Sequence, residues 1–139
     1  MTAMKKGVLA KASVMYYSYW ILLIGLCFFF SLSGYWEFTK NDITYPKTLK
    51  MGYPPYFIFS LGIAKIMGAM VLLLPVQHRL KEWVFAGFTF DVVFAFISGI
   101  AINSNADCLK AVMALCCILL TYYLFHKLYK AEYRQGMEF

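Results

Sequence analysis

Four stretches of the chain are almost free of charge: Ser13 to Tyr35, Pro54 to Pro75, Trp83 to Ile102 and Cys108 to Phe125. A helix that crosses the hydrocarbon core of a bilayer needs about 20 mostly apolar residues, and each stretch is close to that length. The pattern therefore predicts four membrane-spanning helices, over residues 13–35, 54–75, 83–102 and 108–125. Two of the three connections are short, and short connections force neighbouring helices to run antiparallel. The expected fold is all-α: an integral membrane four-helix antiparallel bundle, up-down-up-down, forming a single domain over residues 1–139.

The first outer connection is longer. Between Glu37 and Tyr53 lies KNDITYPKTLKMGY, polar and without a helical apolar stripe, closed by Pro54-Pro55. Proline suits a first helical turn, whose N–H groups have no partners in any case. The stretch reads as an irregular loop, either plainly solvated or folded over the outer mouth of the bundle.

Composition agrees with the spans. Of 139 residues, 62% are hydrophobic and 14% charged, against about 45–50% and 25% in soluble domains. Cations set the orientation, because short loops rich in Lys and Arg stay cytoplasmic. Lys5, Lys6, Lys11, Arg79, Lys81, Lys127, Lys130 and Arg134 fall on one side. On the other are Lys40, Lys47, Lys50 and Lys110, partly offset by Glu37, Asp42 and Asp107. Both termini are thus expected in the cytoplasm and the chain in the plasma membrane, the inner membrane of a bacterium. The net charge of +6 follows from this topology and from contact with the anionic headgroups of the lipid bilayer; no nucleic-acid partner is expected.

The first span is longer and more aromatic than the roughly 7–15-residue core of a signal peptide, so it is expected to stay uncleaved. Tyr16, Tyr17, Tyr19, Trp20, Tyr35, Trp36, Trp83, Tyr122 and Tyr123 sit at span borders, where amphipathic rings meet headgroups.

Two charges fall inside the spans. Lys65 lies in SLGIAKIMGAM, ten residues before Pro75, or about 15 Å above the inner end of its helix. Asp91 lies eight residues after Trp83, or about 12 Å above the inner end of the next. Lone ions in hydrocarbon are costly, so such groups face inward and find partners. Lys65 and Asp91 are expected to pair. Gly62, Lys65 and Ala69 share one helical face, with Gly68 beside them; Gly87, Asp91, Ala95 and Ser98 share another. Small residues there predict a close crossing of these two helices. The pair is then either a structural ion pair that fixes register or a polar site that binds a ligand or carries a proton. Ser33, Ser98 and Glu37 are further candidates for that site, although Glu37 reads more readily as an interfacial charge beside Trp36.

Other chemistry is not expected. Cys27, Cys108, Cys116 and Cys117 form no Cys-Xaa-Xaa-Cys, which disfavours thiol exchange. His78 and His126 fall at the cytoplasmic border, without the mid-membrane pairing of haem ligands or a neighbouring carboxylate cluster, so no metal site is expected. Phosphate-binding loops and nucleophile elbows are missing as well.

Certain motifs carry a family resemblance. Met51-Gly-Tyr-Pro-Pro-Tyr56, Leu61-Gly-Ile-Ala-Lys65, the Leu-Leu-Leu-Pro ending at Pro75, Leu80-Lys-Glu-Trp83 and Ala86-Gly87 follow one another in an order that resembles the DoxX-like family of small four-span membrane proteins. Ser33-Gly34 resembles the family's Ser-Gly. Members often place a lysine where this chain has Glu37, and many have a histidine after the serine of Ile97-Ser-Gly99. The resemblance implies kinship with a subunit of a thiosulfate:quinone oxidoreductase, a component of a membrane-bound oxidative-stress complex, and eukaryotic proteins that assist receptor assembly.

Three functions remain open from the residues. One is a redox-associated subunit with a lipophilic ligand such as a quinone, Asp91 handling a proton and Lys65 stabilising charge on a ring oxygen. Another is an assembly partner of a second membrane protein, marked by small residues that face outward. The third is a small-solute carrier, for which four helices call for a homodimer.

Overall fold

A computed structural model describes the backbone of residues 2–136 and the side chains of residues 13–130. Lys5, Lys6, Lys11 and Arg134, used above for orientation, lie outside the described side chains. Five helices and no strand occur among the described residues: α1 (Thr2–Phe38), α2 (Thr44–Lys50), α3 (Pro55–Leu73), α4 (His78–Ala101) and α5 (Asn105–Gly136). Four contain segments long and apolar enough to cross a membrane, namely Ser13–Phe38, Pro55–Leu73, His78–Ala101 and Asn105–Lys130.

Local chemistry sets the boundaries. Pro55 occupies the first turn of α3 after an extended Pro54. At the other end Pro75 forces Leu74 out of the helical region, to φ −81° and ψ 152°, because the ring of a proline crowds the residue before it. α1 ends in a Schellman turn: Lys40 has φ 53°, its N–H donates to Glu37 O, and that of Asn41 donates to Trp36 O. Asn103, also at φ 53°, ends α4 in the same way, with Ser104 N–H donating to Gly99 O.

Two boundaries differ from the sequence expectation. The outer connection is not wholly irregular, since α2 lies within it, seeded where Asn41 Oδ1 accepts from the N–H groups of Ile43 and Thr44. Seven residues are too few to show an apolar stripe, and none of α2 is buried. α4 starts at His78, five residues before Trp83, because its first turns carry the polar His78, Arg79, Lys81 and Glu82.

Packing is organised around α1, which makes its most extensive contact with α3 and a further one with α5; α4 lies mainly on α5, and α3 touches α4 more sparingly. Leu23, Leu26, Cys27 and Phe30 of α1 meet Ala69, Leu72, Phe85, Phe88, Val92, Ala111, Ile118 and Phe125 in one core. Phe30 and Phe88 stack with centroids 3.9 Å apart and planes 2° from parallel. Gly68 makes room for that ring, as a Cβ there would stand 2.9 Å from Phe88. Only 22–33% of each apolar window is buried inside the protein. The remaining apolar surface, Ile21, Phe28, Phe94 and Leu120 among it, is of the kind that faces acyl chains.

The close helix crossing is between α1 and α3, not between α3 and α4. A Cβ on Gly34 would stand 2.6 Å from Gly62 O, and one on Gly62 would stand 2.7 Å from Gly34 O. Gly87 and Ala95, expected to line the α3–α4 contact, are exposed, and a Cβ on Gly87 would meet nothing within 4 Å. The smallest side chains of α3 are matched by a glycine on α1, and backbones approach where both partners lack a Cβ.

Candidate functional site

The glycine crossing positions the polar side chains. Glu37 follows Gly34 by three residues and Lys65 follows Gly62 by three, so each lies on the crossing face of its helix. Lys65 Nζ donates to Glu37 Oε1 at 2.6 Å. It also lies 3.4 Å from Asp91 Oδ1 on α4 and donates to Ser33 Oγ at 3.4 Å. An ammonium has three N–H donors, and these three oxygens give each one a partner. The side chains of Lys65 and Glu37 are each 8% exposed and that of Asp91 is 15% exposed.

Glu37 Oε2 is buried and has no hydrogen-bond partner. One ammonium thus faces two carboxylates, one of them with an unused oxygen in a dry setting.

Lys65, Asp91, Glu37 and Ser33 come together; Ser98 does not join them. It lies seven residues beyond Asp91 on α4, where its hydroxyl hydrogen-bonds Tyr53 OH at 2.8 Å. The nearest partner of Lys65 is Glu37 rather than Asp91. Glu37 is buried against Lys65, while its neighbour Trp36 is exposed. The reason is that α1 ends opposite Gly62, where Phe38 N would be 3.0 Å from a Cβ on that glycine. Gly62 is seven residues into α3, so the end of α1 sits about 10 Å below the start of its neighbour.

The segment from Thr39 to Pro54 is tied to the ends of α4 and α5. Lys47 of α2 pairs with Asp107 of α5, which also accepts a hydrogen bond from Ser104 Oγ, and Tyr53 reaches Ser98. Tyr53, which stacks on Phe57 at 5.6 Å, is absent from the sequence candidates. Its place between Gly52, at φ 89°, and Pro54 fixes the backbone on both sides, and that is the local signal it offers.

At the opposite end of α4, His78, Glu82 and His126 converge, with ligand atoms within 4.8 Å of one another. They are the residues there suited to hold a metal ion.

The model of the DoxX-like family matches residues 21–122, a stretch that contains the glycine crossing and the whole Glu37–Lys65–Asp91 cluster. No curated protein and no solved structure matches the chain.

Proposed function

Because the chain belongs to the DoxX-like family and carries a three-charge cluster inside its apolar segments, we propose that it is a membrane protein that binds a proton and a lipophilic ligand at Glu37, Lys65 and Asp91. In this reading residues 1–139 form one domain of the plasma membrane, the inner membrane of a bacterium, with consecutive spans antiparallel and both termini cytoplasmic. The buried, unpartnered Glu37 Oε2 carries the proposal, since a buried carboxylate oxygen calls for a proton or for a donor from a ligand.

The contacts of Lys65 divide into two kinds. The short one to Glu37 is held by the glycine crossing. Those to Ser33 and Asp91 are longer, and a ligand oxygen replaces them with little loss. Asp91 is the most exposed of the three charged groups and lies on the sparingly packed α3–α4 side, which gives a lipid-borne molecule its way in. Quinones fit this chemistry, having a flat apolar ring with a carbonyl oxygen for Lys65 and an oxygen that becomes a donor when protonated. Asp91 then exchanges the proton.

The test is mass spectrometry of solvent extracts from protein purified gently out of its native membrane, beside Asp91→Asn treated identically. A quinone or similar lipophile retained by the wild type and lost from the variant supports the reading. Equal retention by both moves any ligand away from the cluster. No lipophile in either, with a second membrane protein co-purifying, favours an assembly role instead. One observation supports that second reading: Gly87 and Ala95 leave an outward strip of small residues on α4, suited to close packing by another helix or by a second copy. Gly62 and Gly68 contribute nothing to such a strip, since both face inward.

A further inference from the structure

The geometry points to a divalent transition-metal site at His78, Glu82 and His126, of the kind that takes zinc. His78 and Glu82 are four residues apart on α4, so they share one helical face. His126 comes from α5, the helix on which α4 mainly lies. Glu82 Oε1 is 3.1 Å from His126 Nε2 and 3.6 Å from His78 Nδ1. Bonds of about 2.0–2.2 Å to one tetrahedral ion place ligand atoms about 3–3.5 Å apart. Two of the three separations are already near that value, and the third is at most 4.8 Å, within reach of a side-chain rotation.

The donor set of two imidazoles and one carboxylate matches the borderline preference of zinc, which hard ions such as magnesium do not share. Three protein ligands leave a fourth position for water or another ligand. His126 is 44% exposed at its side chain, so an ion can reach the site. His78, by contrast, is held in place, its ring lying 4.5 Å from that of Phe125 and 3.9 Å from that of Tyr129. Its Nε2 is buried with no partner. The nitrogen that faces Glu82, and would take an ion, is Nδ1. Among the described side chains Glu82 is the sole carboxylate at this end of the molecule, and both histidines meet it.

The grouping differs from the sequence expectation of no metal site. Four-residue spacing puts His78 and Glu82 together, but His126 joins them only through the packing of α5 on α4.

The test uses the full chain, purified without a polyhistidine tag, reconstituted in nanodiscs and titrated with zinc against a competing chelator. One saturable zinc per chain is expected, unaffected by excess magnesium. His126→Ala and Glu82→Gln should each weaken zinc about 100-fold, since each removes a direct ligand, while helix content stays that of the wild type. Tyr53→Phe, at the other end of α4 where Tyr53 bonds Ser98, should leave zinc affinity unchanged. Cobalt, as a spectroscopic stand-in, should give intense visible bands of four-coordinate geometry that Glu82→Gln abolishes. No saturable zinc binding by the wild type, or equal affinity in both ligand variants, overturns the site and leaves a His–Glu hydrogen-bond cluster. If His126→Ala does not fold, Glu82→Gln decides alone, being nearly isosteric.

Discussion

Replacing Gly62 by alanine tests the crossing on which the polar cluster depends. The added Cβ would sit 2.7 Å from Gly34 O and 3.0 Å from Phe38 N, whereas ordinary contact begins at 3.4 Å. Both obstacles are backbone, so no side chain can turn away; α1 and α3 must separate by about 0.7 Å. Overpacking of this kind costs about 1–3 kcal/mol. Alanine also favours helix over glycine by about 0.5–1 kcal/mol, which offsets part of that cost. Gly87→Ala isolates this second effect, because a Cβ there meets nothing within 4 Å. Gly62→Ala should therefore be less stable than Gly87→Ala by about 1–3 kcal/mol in reversible unfolding by dodecyl sulfate in mixed micelles. Gly34→Ala should behave like Gly62→Ala, and the double variant should lose less than the two losses together, since both push the same helices apart. If Gly62→Ala and Gly87→Ala unfold within about 0.5 kcal/mol of one another, below the overpacking range, the close crossing is wrong and so is the account of how Glu37 reaches Lys65.

Lys65→Met should destabilise by about 3–5 kcal/mol in the same assay, because it leaves two carboxylates without their cation. Adding Glu37→Gln should restore more of this loss than adding Asp91→Asn, since Glu37 is the nearer partner at 2.6 Å against 3.4 Å; the reverse order would make Asp91 the main partner. Phe88→Ala should cost about 3–5 kcal/mol, and with Phe30→Ala the losses should not add; full additivity would argue against the stacked pair. Tyr53→Phe should cost about 0.5–1.5 kcal/mol and speed amide exchange across residues 44–53; unchanged exchange would mean that the bond to Ser98 does not hold that segment.

The four apolar segments were legible because charge is nearly missing from them, and helix rise alone placed Lys65 and Asp91 at similar depths. Their side chains do come within 3.4 Å. Hydropathy does not report which faces of which helices meet. Gly87 and Gly62 look alike in sequence, yet one is open and the other is in contact with a backbone carbonyl. The burial of Glu37 was not legible, because the end of an apolar run does not show what packs against it. α1 stops opposite the interior of α3, and nothing in residues 13–38 reveals where another helix begins. The start of α4 was missed for a related reason: polar first turns are helical without being apolar. His126 required knowing that α5 lies on α4 at the level of His78, a contact between residues 48 positions apart in the chain.

The two polar clusters are separated by aromatic packing. Below Lys65 the Phe30–Phe88 stack fills the space beside Gly68. Phe85 follows, 5.6 Å from Phe125, and Phe125 lies against His78. Three polar side chains along this stretch are engaged with main-chain carbonyls: Cys27 Sγ with Ala69 O, Thr89 Oγ1 with Phe85 O and Thr121 Oγ1 with Cys117 O. The clusters should act independently, as separated sites without shared partners generally do. Asp91→Asn should then leave zinc at His78 unaltered, and Glu82→Gln should leave the lipophile at Lys65 in place, so each proposal can fail without the other.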